Sequence, residues 1–339
     1  MLKLGSALLL LLVVVSGCGP DDGKADSKSA KASPPTVMKP QLPAPVSAAD
    51  AAVVQLEDVE TKRVSLSSPD WLATTDGALW VRLDAGQVVK LDPVTGAIQK
   101  RIDPPRGNGL CQGFGAAGDD AIYSCAYDGV IARIDPSANK VVNQVESDFS
   151  TDQGHLVLAG DKVWVLTPDG DKITPIDPGD DSLGKSIDLG SYCVELSGDG
   201  SVIYATCTSD GLVIRVDVAR REVTHRLALT DPRTIWASSA GVFVSFEGGV
   251  AQLDPKSLKP AAVYDVPLDL GGGIYADSDR AWLRADGGPF LTVIDPAAHR
   301  VLQTIIAADL PTGGSALRVG EVVWATASDD GTLVGLKTE

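Results

Sequence analysis

The stretch Val-Ile-Ala-Arg-Ile-Asp-Pro-Ser-Ala-Asn-Lys-Val-Val, residues 130–142, joins two apolar runs through a polar turn. β-Branched residues at alternating positions favour a strand on each side of the turn. Asp, Pro, Ser and Asn are turn residues, and proline has no N–H to give to a strand ladder, so the first strand ends there. The stretch therefore predicts a β-hairpin, and we call its Asp-Pro turn the corner.

The corner recurs along the chain. Its aspartate stands at Asp92, Asp135, Asp177, Asp217, Asp254 and Asp295, and only Asp217 is followed by a residue other than proline, Val218. An aromatic residue in an alternating apolar run recurs in the same way, at Trp80, Tyr123, Trp164, Tyr204, Phe243, Trp282 and Trp324. Because both markers keep a period of about 40 residues, we interpret them as one internal repeat.

Short strands in units of this length are typical of β-propellers. Seven aromatic markers predict seven blades, and residues 53–339 divide into seven units of 41 residues. The last unit stops before an outermost strand, which residues 60–67 are expected to supply. The predicted fold is thus an all-β, seven-bladed β-propeller closed by its N- and C-terminal strands; a pair of β-sandwiches is the alternative, and it requires no seven-fold register.

One segment does not fit this count. Residues 53–66 resemble residues 88–102, so the N-terminal side contains two strand-like runs where one is missing. Val53-Val54-Gln55-Leu56 is therefore surplus, helical or an extra edge strand. The alanine-rich residues 47–56 favour a short helix by propensity.

The N-terminus has the pattern of a secretory signal, with Lys3 followed by an apolar run from Ala7 to Val15. This run is too short to span a bilayer. Val15-Ser16-Gly17-Cys18 resembles a bacterial lipobox, which predicts that residues 1–17 are a lipoprotein signal peptide and that Cys18 carries the acyl chains (palmitate) of a membrane anchor. A plain signal peptide with an incidental Cys18 is the alternative.

Residues 18–50 are rich in Pro, Ser, Ala, Lys and Asp, a composition that predicts a flexible linker between the lipid and a propeller at residues 51–339. The protein is then exported and anchored to the cell membrane or outer membrane, facing the periplasm or the exterior. Gly19, in place of Asp, resembles the position after the lipidated cysteine of lipoproteins sent to an outer membrane.

The four cysteines beyond Cys18 fall into two pairs with the same separation of 14 residues. Each pair brackets a Gly/Asp turn, so folding each segment as a hairpin brings its two cysteines to facing positions. We predict the disulfides Cys111–Cys125 and Cys193–Cys207, in keeping with an oxidising compartment. Four buried free thiols are the alternative, and neither pair has the Cys-x-x-Cys spacing of a zinc site.

The formal net charge of −16 and the absence of a basic stripe argue against a nucleic-acid partner. The acidic loops favour cations or basic partners, unless the aspartates serve only as turn residues. Residues 169–181 hold the densest carboxylate run but lack the spacing of an EF-hand loop. No cofactor is predicted, and a weak site for Ca²⁺ or Mg²⁺ is a secondary reading.

Three sequence motifs resemble those of the YVTN and virginiamycin B lyase-like seven-bladed propellers. They are Asp92-Pro93-Val94-Thr95-Gly96, Asp135-Pro136-Ser137-Ala138-Asn139-Lys140-Val141 and Gly77-Ala78-Leu79-Trp80-Val81. The resemblance covers residues 53–339 and implies the fold. It also implies, for enzymatic members, His and Glu at a metal site in the channel mouth. This chain departs from that pattern, because His155, His225 and His299 form no His-x-His or Glu-x-His cluster.

Propeller geometry places candidate site residues in the loops that lead into each innermost strand, around the channel mouth. The ligand-binding candidates are Asp70, Asn108, Gln112, Asp152 and Arg233. His155, Glu195 and Tyr192 form the one constellation suited to acid/base or metal chemistry. Each of these is otherwise an ordinary loop residue.

Two functions follow from these patterns. The first is a monomeric, non-catalytic lipoprotein whose propeller binds or scaffolds a protein, peptide or glycan. The second is a divalent-metal-dependent lactonase or lyase-like enzyme with its site at the channel mouth.

Overall fold

A computed structural model describes residues 35–103, 113–127, 129–146, 156–266, 272–285, 288–310 and 313–337. Seven antiparallel sheets follow one another along the chain, and each packs against the next. The predicted all-β, seven-bladed propeller is confirmed.

The strands are numbered in chain order. The N-terminal segment contains β1 (Val37–Met38), β2 (Val46–Ser47), β3 (Ala52–Gln55), the one-turn helix α1 (Leu56–Val59) and β4 (Glu60–Ser65). Blade 1 contains β5 (Pro69–Thr75), β6 (Ala78–Leu83), β7 (Val88–Leu91) and β8 (Ile98–Ile102). Blade 2 contains β9 (Phe114–Ala117), β10 (Ala121–Tyr127), β11 (Val130–Asp135) and β12 (Lys140–Glu146). Blade 3 contains β13 (Val157–Ala159), β14 (Lys162–Leu166), β15 (Lys172–Ile176) and β16 (Ile187–Asp188).

The later blades follow the same order. Blade 4 contains β17 (Glu195–Asp199), β18 (Val202–Cys207), a 3-10 turn (Thr208–Asp210), β19 (Leu212–Asp217) and β20 (Glu222–Ala228). Blade 5 contains β21 (Ile235–Ser238), β22 (Gly241–Phe246), β23 (Gly249–Leu253) and β24 (Pro260–Asp265). Blade 6 contains β25 (Ile274–Ala276), β26 (Ala281–Leu283), β27 (Leu291–Asp295) and β28 (Arg300–Ile306). Blade 7 contains β29 (Ala316–Val319), β30 (Val322–Ala327) and β31 (Thr332–Leu336).

The ring closes as predicted, because β4 pairs antiparallel with β31 and forms the outermost strand of blade 7. The segment before β4 adds a parallel fifth strand to three blades: β1 to blade 4, β2 to blade 5 and β3 to blade 6. We call residues 35–59 the belt.

The belt corrects two predictions. The flexible linker predicted over residues 18–50 is wrong for residues 35–50, because β1 and β2 pair with blades, so these residues belong to the folded part together with residues 51–339. The predicted helix over residues 47–56 is also wrong, since Ala52–Gln55 is an extra edge strand and only Leu56–Val59 is helical. Contacts of Met38, Val46 and Leu56 with the blade cores outweigh the helix propensity of the alanines.

The repeated corner is a turn that its aspartate caps. Asp92 Oδ1 accepts the backbone N–H groups of Val94 and Thr95, and Asp135 Oδ1 accepts those of Ser137 and Ala138. These hydrogen bonds favour the ionised carboxylate and lower the pKa of both aspartates. The aspartate side chain therefore holds the turn in the same conformation each time, which explains why the corner contains aspartate in each repeat.

The corner also joins neighbouring blades. Three polar side chains, each two residues before a corner aspartate, donate to the proline carbonyl in the corner of the next blade. They are Lys90 to Pro136 (2.9 Å), Arg215 to Pro255 (3.0 Å) and Gln252 to Pro296 (3.3 Å).

The one corner without proline has a physical reason. Val218 donates its backbone N–H to the carbonyl of Ser201 at 3.1 Å, and proline has no N–H to make this bond.

The second strand of each blade carries its aromatic marker toward the neighbouring sheet, and all seven markers are buried. The core is consequently a ring of apolar clusters between consecutive blades.

Candidate functional site at the channel mouth

The strand order fixes which loops surround the channel mouth. The loops from the fourth strand of one blade to the first strand of the next share one face with the loops between second and third strands. We call this the mouth face, and the corners lie on the opposite face. The described candidates Asp70, Tyr192, Glu195 and Arg233 all belong to the mouth face, at or just before an innermost strand.

Several predicted residues lie outside the described part of the chain: Cys18, Asn108, Cys111, Gln112, Asp152 and His155. The His155–Tyr192–Glu195 constellation therefore stays a prediction. The four described candidates lie on three different blades, with Asp70 in blade 1, Tyr192 and Glu195 at blade 4 and Arg233 at blade 5.

Glu195 begins the innermost strand of blade 4, and its carboxylate accepts the backbone N–H of Ile235 in blade 5 at 3.3 Å. Burial raises its pKa to about 8, because desolvation disfavours the charged form. Ser197, two residues later on the same strand, accepts the N–H of Ala237 at 2.8 Å. Both side chains thus join the inner strands of blades 4 and 5, and Glu195 could exchange a proton near neutral pH.

Tyr192 is the most exposed of the four candidates, with 47% of its surface accessible. Its N–H donates to Asp210 at 3.3 Å, and its ring lies against Gly170 of blade 3. A β-carbon at Gly170 would stand 2.9 Å from that ring and 2.5 Å from the carbonyl of Cys193. The absence of a side chain at Gly170 therefore allows the Tyr192 loop to pack closely against this turn of blade 3.

Asp70 lies beside the buried Arg82 and near Asp84 at the mouth end of blade 1. Burial, with the neighbouring charge of Asp84, raises the pKa of Asp70 to about 6, and the Arg82 guanidinium opposes that rise. Desolvation also lowers the pKa of Arg82. The carbonyl of Asp70 accepts the hydroxyl of Thr326 in blade 7, so this group joins the two ends of the ring.

Arg233 forms a salt bridge with Asp231, with Nη2 and Oδ2 2.7 Å apart. Its carbonyl accepts the hydroxyl of Thr206 in blade 4 at 2.5 Å, and its N–H donates to the carbonyl of Ser245. The side chain of Arg233 is therefore engaged in a local salt bridge, and its backbone is engaged in hydrogen bonds within blade 5 and with blade 4.

Sequence reasoning missed Arg284, which is fully buried and donates to the carbonyls of Phe290, Gly313 and Thr326. Burial lowers its pKa to about 9, and its guanidinium lies 3.9 Å from the centre of the Phe290 ring. A signal was present in the repeat: Arg82 and Arg284 both stand two residues after an aromatic marker, where blades 4 and 7 have threonine. When a repeat position is buried in every blade, an arginine at that position indicates that its guanidinium has hydrogen-bond acceptors in the interior.

Cys193 and Cys207 form a disulfide, as their spacing predicts, and it links the mouth ends of the first two strands of blade 4. Cys125 is also disulfide-bonded, and its predicted partner, Cys111, lies outside the described residues.

Most carboxylates of the acidic run at residues 169–181 are bonded to neighbouring groups. Asp177 bonds to Lys162 at 2.5 Å, and Asp181 accepts hydrogen bonds from Tyr123 and Asn143 of blade 2 at 2.8 and 2.7 Å. Within the described ranges, no group of three or more His, Cys, Asp and Glu side chains is arranged to hold a metal ion. The described residues also include no helix of the length and apolarity needed to cross a membrane.

Comparison with known proteins identifies similar folds among solved structures but no matching sequence family. No family model matches the chain, and no curated protein sequence matches it. Among solved structures, the chain is similar to the β-propeller domain of Cps50 (Swd1) from Myceliophteria thermophila, with a TM-score of 0.69 and 11% identity over 83% of this chain and 99% of that one.

Two further structures are similar to the chain at 13% identity. Kuenenia stuttgartiensis hydrazine synthase gives a TM-score of 0.62 over 82% of this chain and 97% of that one. The WD40 domain of Neurospora crassa Pan2 gives 0.63 over 81% and 90%. At these identities the likeness concerns the fold alone.

Proposed function

We propose that this protein is an exported, membrane-tethered propeller that acts as a non-catalytic binding or scaffolding module for a protein, peptide or glycan. The observation that carries the proposal is the separation of the candidate residues. Asp70, Glu195 and Arg233 lie on different blades, and each one holds its blade to a neighbour. A rigid ring that presents loops is suited to binding.

The mouth face favours a cationic ligand. Its exposed carboxylates include Asp84, Asp103, Glu146, Asp169, Asp210, Glu247, Asp265, Asp329 and Asp330. On the opposite face the corner aspartates cap turns, and other carboxylates there, such as Asp120 and Asp161, are exposed. With a net charge of −16, the chain attracts a basic segment at long range, and this attraction weakens as salt screens it.

The ligand proposal is tested with a labelled hexalysine peptide. The Asp329→Asn/Asp330→Asn variant is expected to bind it at least threefold more weakly than the parent protein, because two mouth charges are lost. Asp120→Asn/Asp161→Asn removes the same charge from exposed turns on the corner face and should leave the affinity unchanged. Equal losses in both variants would mean that the mouth has no special role.

Tethering is tested in bacterial cells that express the full chain and its Cys18→Ala variant with a clickable palmitate analogue. We expect label and membrane fractionation for the parent chain, and neither for the variant. An unlabelled parent chain would contradict the lipid anchor without bearing on ligand binding.

One observation favours the second function, a metal-dependent lactonase or lyase-like enzyme. A carboxyl group with a pKa of about 8 in the channel wall is suited to general acid/base catalysis. Metal analysis of the purified protein, with lactone hydrolysis by His155→Ala and Glu195→Ala, tests it. Stoichiometric metal that both variants lose would support this function, and a parent protein without turnover would remove it.

A further inference from the structure

A crevice opens on the mouth side between blades 1 and 2. Its lining is mostly apolar and comprises Gly86, Val88, Ile102, Asp103, Ser124, Cys125, Ala126, Ala132, Ile134 and Val141. The crevice adjoins the end of β8, the outermost strand of blade 1. In the described part of the chain, no strand pairs with the outer edge of β8.

The repeat shows what fills the corresponding position elsewhere. Between blades 4 and 5, the counterparts of Val88, Ile102, Ala126, Ala132 and Ile134 are Val213, Leu227, Phe246, Ala251 and Leu253. All five belong to one apolar cluster, and Met38 of the belt packs against it. Between blades 6 and 7, the counterparts are Leu291, Ile305, Ala327, Val334 and Leu336, in one cluster with Leu56 of the belt.

The belt uses a single register on all three blades that it covers. The residue opposite the counterpart of Ile102 is Met38 on blade 4, Val46 on blade 5 and Val54 on blade 6. Each is a partly buried apolar residue in a strand parallel to the blade edge. An extended peptide with one apolar anchor at this position is therefore the occupant that the blades accept.

The stretch directly before the belt does not carry a further segment of this kind. Residues 19–34 contain no Val, Ile, Leu, Met or aromatic residue, so they offer no anchor for the crevice. Lys100 and Arg101 are both exposed on the β8 edge. The belted edges have His225 and the buried Arg226, Ala262 and Val263, or Gln303 and Thr304 at these positions. The charges of Lys100 and Arg101 favour carboxylates in the residues that precede the anchor.

We propose that the crevice between blades 1 and 2 and the β8 edge form a docking site for an extended segment of a partner protein. The segment adds to β8 as a parallel fifth strand by β-augmentation. It places a Val, Leu or Met opposite Ile102 and an Asp or Glu opposite Lys100. The site depends neither on membrane tethering nor on a ligand at the mouth.

The probe is the fluorescent hexapeptide Ala-Asp-Val-Val-Gln-Leu, which copies residues 51–56 with Asp in place of Ala52. Its second valine is then opposite Ile102 and its Asp opposite Lys100. We expect saturable binding with protection of β8 amides from hydrogen exchange. Replacing the second valine by lysine is expected to weaken binding about tenfold, equivalent to about 1.4 kcal/mol.

Protein variants locate the site. Lys100→Glu should weaken binding several-fold, whereas the matched change Lys140→Glu on β12 and the mouth variant Glu195→Gln should not. Ala132→Leu, which fills the crevice, should abolish binding, and Lys100→Glu keeps the test decisive if that variant does not fold. No saturable binding at millimolar peptide, or protection at other amides such as those of β28, overturns the proposal.

Discussion

Blades 4 to 6 and blades 1 to 3 are built from the same repeat but have different outer edges. Blades 4, 5 and 6 each carry a parallel fifth strand from the belt. In blades 1, 2 and 3, the strands β8, β12 and β16 end their sheets with no further strand among the described residues. The belt places Met38, Val46 and Leu56 against apolar clusters between blades. One half of the ring is therefore held from outside by a single segment of chain.

The other half has no such outer strand among the described residues, and its junction between blades 2 and 3 is polar. Asp181, in the corner of blade 3, accepts hydrogen bonds from Tyr123 and Asn143 and a salt bridge from Arg133, all in blade 2. Lys90 of blade 1 reaches the corner of blade 2. Polar contacts also join blades 4 and 5, as at Glu195 and Arg215. The comparison teaches that the two halves differ in the added strand and its apolar anchors, and substitutions at those anchors and at the polar junction should therefore have different effects.

The largest effect is expected at the belt anchor Leu56, which is completely buried. Leu56→Ala should lower the free energy of unfolding by about 2–4 kcal/mol, because it removes buried methyl groups and leaves a cavity. Urea denaturation measures this change. Val53→Ala, on the neighbouring exposed edge strand and 64% accessible, is the matched control and should change stability by less than about 0.5 kcal/mol. Similar effects in the two variants would show that the belt does not stabilise the ring.

The polar junction gives the next largest effect. Asp181→Ala should cost about 2–3 kcal/mol, since the Tyr123 hydroxyl, Asn143 amide and Arg133 guanidinium lose an acceptor in a poorly solvated junction. Thermal unfolding compared with Asp120→Ala, an exposed turn residue, measures it. A loss no larger than that of the control would mean that these hydrogen bonds only accompany the packing.

Two mouth carboxyls, one in each half, should titrate in different ranges. The pKa of Glu195 is raised to about 8 and that of Asp70 to about 6, so the folded state binds protons that the unfolded state has released. Stability then falls as pH rises, from about 4.5 to 8 for Glu195 and from about 4 to 6 for Asp70. Glu195→Gln should remove about 1–2 kcal/mol of this decline, less than full burial implies because the carboxyl is partly accessible in the channel wall.

Unfolding free energies at pH 5 and pH 8.5 measure the Glu195 contribution. Asp70→Asn should instead change only the slope below pH 6, and Glu247→Gln, on an exposed loop, should change neither. If Glu195→Gln has the pH profile of the parent protein, Glu195 is ionised throughout this range.

The smallest effect concerns the irregular corner of blade 4. Val218→Pro restores the repeat motif, yet we expect it to destabilise the protein by about 1 kcal/mol, because Ser201 loses its backbone donor. Denaturant midpoints measure this, with Pro136→Val as the reciprocal change at a corner that needs no N–H. A stabilised Val218→Pro protein would show that the irregularity has no structural purpose.

Much of the architecture was predictable because the repeat carries it. The aromatic markers predicted seven second strands, and Trp80, Tyr123 and the other five all lie there. The 14-residue spacing predicted Cys193–Cys207, since strand pairing within a blade is local in sequence. The belt was not predictable from local pattern, because Val37–Met38 and Val46–Ser47 are too short for a strand signal and pair with blades that lie far along the chain.

The candidate site shows the same division. Loop position alone placed Asp70, Glu195 and Arg233 on the mouth face. It did not reveal that each one holds a neighbouring blade, nor that Arg284 is buried among carbonyls of blades 6 and 7. Those contacts join residues from different repeats, which periodicity cannot pair.

The sequence by itself determined the repeat, its hairpins and the number of blades, because alternation and turn chemistry act over a few residues. Only the tertiary structure decided which blade edges are covered, which grooves are filled and which charges are buried. These properties depend on free energies of desolvation and packing between segments that meet only after the ring has closed.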